Sequence, residues 1–153
     1  MVNYLKLINI QGLNYGHTVI EKHGNKCTCG QYGCMETYCS MKVLKEKIKK
    51  RKNTNEISSK EIYNIMKNDY ESIEDIIEEF IEDLSIGIAN FINIFEPEVI
   101  CLGGSFIYYQ DILLNKLMDK FIKQKITFNA EVPDIIISKY GNDSGMIGAT
   151  LIK

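Results

Sequence analysis

Apolar residues recur at helical spacing over residues 73–95: Ile73, Ile76, Ile77, Phe80, Ile81, Leu84, Ile88, Phe91, Ile92 and Phe95. The 3.6-residue period holds long enough to predict the longest helix of the chain, opening at Ser72 and stopped by Pro97. A second helix is predicted over 35–51, with Met35, Tyr38, Val43, Leu44 and Ile48 as inner positions. Ser58 followed by Glu61 has the capping-box pattern and opens a short helix to about Asn68. A further helix is predicted from Tyr109 to Lys125, and a small-residue helix over 144–152. Two runs lack polar alternation, Val99–Leu102 and Ile135–Ser138, and read as strands buried on both faces in a parallel sheet. Residues 3–10 alternate moderately and predict a short strand, while 11–34, 52–57 and the Gly141-Asn-Asp143 turn read as irregular. The fold class is therefore α/β, with helices packed on a small sheet.

Three local features qualify this pattern. The carboxylates Glu74, Asp75, Glu78, Glu79, Glu82 and Asp83, and the basic end Lys49-Lys50-Arg51, read as solvated helix faces. Gly87 interrupts the long helix, where it can admit close backbone packing. Gly103-Gly104 follows the first buried strand and precedes a helix. That is where open α/β sheets bind ligands, and also where a plain tight turn would put glycines.

The 153 residues suit one domain, and 45% apolar with 25% charged residues is a globular composition. A net charge of −2 gives no electrostatic case for nucleic-acid binding by this segment. No basic-then-apolar leader and no apolar run of spanning length is evident, so the expectation is a cytoplasmic protein without a membrane partner.

The densest chemistry lies at His17, Cys27, Cys29 and Cys34, spaced H-x9-C-x-C-x4-C. One imidazole and three thiols are a standard tetrahedral zinc set. Gly30 and Gly33 let the chain turn tightly between the last two thiols. A disulfide is disfavoured by the Cys27–Cys29 spacing, a redox pair by the missing C-x-x-C, and an iron–sulfur cluster by the count of thiols. Zinc here would be structural, because no coordination position is left open. Cys34 is also expected at the N-terminus of the 35–51 helix.

These residues carry a resemblance. Gly16-His17, then Cys27-Thr-Cys29-Gly-Gln-Tyr-Gly-Cys34-Met-Glu36, resembles the zinc motif of the ROK family, which comprises repressors, open reading frames and sugar kinases. Ile88 to Gly104 is similar to a second family stretch, and Gly141 to Ala149 to its closing segment. The resemblance implies the C-terminal domain of the actin/hexokinase-like, ribonuclease H-like ATPase fold with a zinc-stabilised loop. It implies a zinc and sugar segment over 13–36 and a nucleotide-side segment over 98–153 of a single domain, 1–153. Glu36 and His17 would touch the sugar. Asn14 stands where the family often has a sugar-binding Glu, and Gly103 and Gly104 would approach the nucleotide. The family's D-x-G-x-T segment and its catalytic Asp do not occur here, and Asn142-Asp143 is not that Asp. No catalytic residue is therefore assigned. The expected parent is an ATP- and Mg-dependent kinase of a hexose or N-acetylhexosamine, with a separate N-terminal kinase domain and homo-oligomeric assembly. A sugar-sensing repressor and a stand-alone zinc-stabilised binding domain are the alternatives. His23 has no motif role and is expected at the surface.

Overall fold

A computed structural model describes residues 15–124 and 133–140, together with 143, 146, 147 and 150. The strand expected over 3–10, Asn14, and most of the 141–143 turn and of the 144–152 helix lie outside the described residues. The elements are α1 (Glu36–Cys39), α2 (Met41–Arg51), α3 (Ser59–Asn68), α4 (Glu74–Phe95), β1 (Val99–Leu102), α5 (Gln110–Gln124) and β2 (Asp134–Ile137).

The single helix expected over 35–51 is two helices. Ser40 has extended backbone (φ −80°, ψ 148°), and its hydroxyl accepts from the Val43 amide at 3.3 Å. Serine favours that cap over a helix interior, so apolar periodicity runs through a residue that breaks the backbone. Cys34 consequently precedes a four-residue turn of helix, not a long one. The capping box of α3 forms as expected. The Ser58 amide donates to Glu61 Oε2 at 2.7 Å, and the Glu61 amide donates to Ser58 Oγ at 3.2 Å. The Ser58 hydroxyl, which donates to the same carboxylate oxygen at 2.6 Å, and then the Ser58 amide hold the Glu61 carboxyl below its ordinary value. α4 ends at Glu96, which turns left-handed (φ 43°) one residue before Pro97.

α4 is the spine of the core. Its Ile77, Phe80, Ile81 and Ile92 are almost fully buried, packed with Leu44 and Ile48 of α2 and with Leu113, Leu117 and Phe121 of α5. Each such side chain contributes about 1.5–3 kcal/mol on leaving water. β1 and β2 pair in parallel, with Val99 opposite Asp134 and Leu102 opposite Ile137. The expectation of strands buried on both faces is corrected. Ile100, Leu102, Ile135 and Ile137 pack on the helices, but Val99 and Ile136 are each 48% exposed and Cys101 is exposed. An apolar run without alternation does not show which face meets helices, and among the described residues the second face has no cover.

The two charge runs lie on solvated faces, as expected: Glu74, Asp75, Glu78, Glu79 and Glu82 are exposed, as are Lys50 and Arg51. Several of these exposed groups also pair across the helices. Arg51 forks onto Asp75 at 2.9 and 2.6 Å, Lys47 reaches Glu79 at 2.7 Å, and Lys52 reaches Asp69 at 2.5 Å, pinning α2 and its end to α4 and the turn before it. From α5, Lys116 pairs with Glu78 at 2.8 Å and Lys120 with Glu82 at 3.4 Å. Exposed pairs of this kind contribute at most about 1 kcal/mol each, so they select the helix arrangement more than they stabilise it.

Gly87 does admit close packing. A Cβ there would overlap Sδ and Cε of Met35, and the Gly87 carbonyl accepts from the Tyr15 hydroxyl. Gly87→Ala has to displace only the movable end of the Met35 side chain, so its cost should stay within about 1 kcal/mol, close to the gain from alanine's better helix propensity. Urea denaturation measures it, and a midpoint loss worth several kcal/mol would contradict this account.

Asp83 is the one carboxylate of the acidic run with a buried oxygen lacking a partner among the described residues. Burial first, then the neighbouring Glu79 charge, raises its pKa. An acid with a raised folded pKa holds its proton in the native state after the unfolded state has lost it. Its contribution is therefore favourable at low pH and is lost as pH rises from the ordinary carboxylate value through the folded one. Asp83→Asn should raise Tm at pH 7, with the gain shrinking toward pH 4. A gain that is flat across this range would show that the charge is not the cause.

Candidate metal and sugar site

The loop before α1 folds by backbone pairing. Val19 bridges Cys34 and Lys26 bridges Tyr32, both antiparallel. Within it the Cys27 amide donates to the Gln31 carbonyl at 2.8 Å, and the Gly30 amide to the Cys27 carbonyl at 3.0 Å. This knuckle turns Cys27 and Cys29 toward Cys34, which the Val19 bridge holds opposite. Gly33 makes the close approach possible: φ is +77°, and a Cβ would overlap the Glu21 carbonyl oxygen. The loop is tied to the core by Tyr15, whose ring meets Phe91 edge-on at 5.1 Å. It is tied again by Met35 over Gly87.

The four sequence-assigned ligands converge. One ligand atom from each of His17, Cys27, Cys29 and Cys34 lies within 4.8 Å of all the others. His17 Nδ1 is 3.4 Å from Cys27 Sγ, and Cys29 Sγ is 3.6 Å from Cys34 Sγ. A tetrahedral ion with metal–sulfur bonds of about 2.3 Å would space its sulfurs by about 3.8 Å, so the cluster fits one ion with little adjustment. The electrostatics point the same way. The Cys29 backbone amide and the neighbouring thiols lower Cys27 to about 7, whereas burial and the nearby sulfurs push Cys34 up to about 12. The thiols therefore cannot all ionise alone, and a cation in their midst resolves that conflict. The donor set can hold a metal.

Of the other thiols, Cys39 is buried, bonds to the Met35 carbonyl at 3.4 Å and is pushed up to about 12 by burial; Cys101 lies on the outer face of the sheet. Glu36 opens α1, and its Oε2 lies 3.6 Å from His17 Nδ1, with the side chain half exposed. The structure thus brings Glu36 to the imidazole. His23 is exposed, as expected. Gly103 and Gly104 sit at the carboxyl end of β1, where Gly104 takes φ +62° and starts a 3-10 turn leading into α5.

The sequence reading missed a groove of about 450 Å³ beside the cluster, bordered by Cys27 and Glu36 and by Lys26, Lys42 and Lys50. Its signal was legible: Lys42, Glu46 and Lys50 are spaced i, i+4, i+8 on one face of α2.

The ROK family pattern matches residues 10–153. The chain belongs to the ROK family. It is 31% identical over 134 residues to the xylose repressor of Caldicellulosiruptor bescii, covering 76% of this chain and 34% of that one. It is 32% identical over 127 residues to the N-acetyl-D-glucosamine kinase of Histophilus somni, covering 83% and 41%. A crystal structure of a ROK glucokinase from Streptomyces griseus, in complex with glucose and AMPPNP, superposes with a TM-score of 0.74 at 22% identity, covering 88% of this chain and 49% of that one. The fold is accordingly of the actin/hexokinase-like class. The chain spans about a third to a half of the length of these relatives. No described helix is long and apolar enough to cross a membrane.

Proposed function

We propose that this chain is the C-terminal, sugar-binding half of a ROK-type sugar kinase, cytoplasmic and homo-oligomeric, acting on a hexose or N-acetylhexosamine. The observation that carries this reading is Glu36 beside His17 on a loop where the four metal-type ligands His17, Cys27, Cys29 and Cys34 converge. Zinc in the Cys3His set supplies structure, not an activated water: three thiolates and one imidazole fill the tetrahedron. With Nδ1 toward the cluster, the imidazole ring is fixed in place, and its Nε2 is left to meet a sugar hydroxyl. The Glu36 carboxylate accepts two hydroxyl hydrogen bonds, which sets the ring's orientation. Asn14 lies outside the described residues, and its role follows the family resemblance alone, in which its amide would meet a third hydroxyl. Gly103 and Gly104 let the backbone approach a nucleotide phosphate. ATP and Mg belong to the whole kinase, in which positioning and electrostatics accomplish nearly all of phosphoryl transfer. No residue here is assigned as the base on the attacking hydroxyl, so the isolated chain should bind sugar without turning it over.

Titrating the zinc-loaded chain with glucose, N-acetylglucosamine and xylose tests the reading. Glu36→Ala should weaken sugar binding by about 1–3 kcal/mol with zinc content unchanged. Absence of binding by all three sugars would sink the proposal. A second reading, the sugar-sensing half of a repressor, is favoured by the similarity to the xylose repressor. Tight binding of xylose with neglect of both hexoses would select it.

A further inference from the structure

We infer that the groove beside Glu36 takes the phosphate of a sugar phosphate whose hydroxyls Glu36 holds; this rests on the sugar-binding reading above. The argument begins with which cations are already engaged. On α2 and its end, Lys47, Arg51 and Lys52 pair with carboxylates across the helix interface, and Lys49 pairs with Glu46 at 3.1 Å. Lys42 and Lys50, which line the groove, have no carboxylate partner among the described residues, nor does Lys26 on its loop side.

The chain carries 20 acidic against 18 basic side chains, so carboxylates are plentiful elsewhere. Of the groove's two carboxylates, Glu46 is engaged by Lys49, and only Glu36 faces the imidazole of the cluster. Three lysines without a carboxylate partner among the described residues thus line the same concavity as the carboxylate assigned to sugar hydroxyls. Thr28 and Thr37 add hydroxyls to the same wall. An ammonium is a strong, mobile donor to phosphate oxygens, whereas a carboxylate repels them but accepts from hydroxyls. A ligand that satisfies both ends is polyhydroxylated at one end and dianionic at the other. The groove volume, about 450 Å³, admits a monosaccharide phosphate.

The test is calorimetric titration of the zinc-loaded 153-residue chain with glucose, glucose 6-phosphate, N-acetylglucosamine 6-phosphate and inorganic phosphate, at low and high salt. A phosphorylated sugar should bind roughly three- to tenfold tighter than its free sugar at low salt, with the advantage falling as salt rises. The double variant Lys42→Gln, Lys50→Gln should lose that advantage, with loss confined to the phosphorylated ligands and with zinc content and circular dichroism unchanged. Equal affinity for glucose and glucose 6-phosphate overturns the inference while the sugar reading stands. Inorganic phosphate binding as tightly as glucose 6-phosphate overturns it too, since the groove would then be a simple anion patch. No binding by any sugar or sugar phosphate overturns both readings.

Discussion

Stripping zinc from the proposed Cys3His site is expected to unravel residues 17–36 while the helical core stays folded. The loop has almost no core of its own. Cys27 and Cys34 are buried there, but Cys29, Thr28, Gln31 and Tyr32 are exposed, and among the described residues the loop has two isolated bridges and turn hydrogen bonds but no strand. Without an ion, the low Cys27 and the high Cys34 leave the thiols unequally charged and badly matched. With an ion, all three become thiolates and the loop has one fixed centre. Structural zinc in isolated peptides contributes about 10–16 kcal/mol of apparent binding energy, much of which is folding energy. Cys34→Ser removes one ligand and leaves a hydroxyl at a fully buried position, so a loss of about 3–5 kcal/mol is expected. Cys101→Ser, on the exposed face of the sheet, should change stability by no more than about 0.5 kcal/mol and keep full zinc content. The core of Leu44, Ile48, Ile77, Ile81, Leu113 and Leu117 contains no loop residue, so helical circular dichroism should largely survive chelation. Limited proteolysis with and without chelator reads the difference directly. A loop equally resistant in both states, in a sample free of metal, would refute the account.

How legible this was depends on the range of the cause. The ligand set was legible because zinc chemistry fixes residue types at short spacing, and the chain met every position from His17 to Glu36. The capping box was legible because it is closed within four residues. α4 was legible because a long apolar stripe overrides local doubt. What failed was long-range. Ser40 broke a helix that periodicity joined, since the stripe is carried across the break by Met35, Leu44 and Ile48. The acidic run of α4 and the basic end of α2 are solvated as read, but their pairing was not legible, because nothing local states that Arg51 will meet Asp75. The outer face of β1 and β2 was assigned cover that the described residues do not supply. Tyr15 as anchor of the loop had no sequence signal, as its partners lie 72 and 76 positions away at Gly87 and Phe91. The groove lysines had a signal in their i, i+4 spacing, but it became meaningful only once the pairing of their neighbours was known.

The second large effect is expected at Gly33, and its neighbour Gly30 supplies the control. Both residues have positive φ, +77° and +93°, so an L side chain is strained at either position. That strain alone is worth roughly 1–2 kcal/mol. The surroundings differ. At Gly30 a Cβ would find open space within 4 Å. At Gly33 it would overlap the backbone oxygen of Glu21, and no side-chain rotation can relieve a backbone clash. Glu21 is held close by its own bonds. Its amide donates to the Gly33 carbonyl at 3.3 Å, and its carbonyl accepts from the Gly24 amide at 3.2 Å. To admit a methyl group, the strand pair that carries Cys34 must separate from residues 20–21, which shifts one of the four ligands. Gly33→Ala should therefore release zinc to a chelator at much lower chelator concentration than the wild type, with a stability loss above about 3 kcal/mol. Gly30→Ala should lose only the strain term and hold zinc almost as well. Equal zinc retention by the two variants would mean that the Glu21 contact does not position Cys34, and the account of how this loop aims its thiols would have to be abandoned.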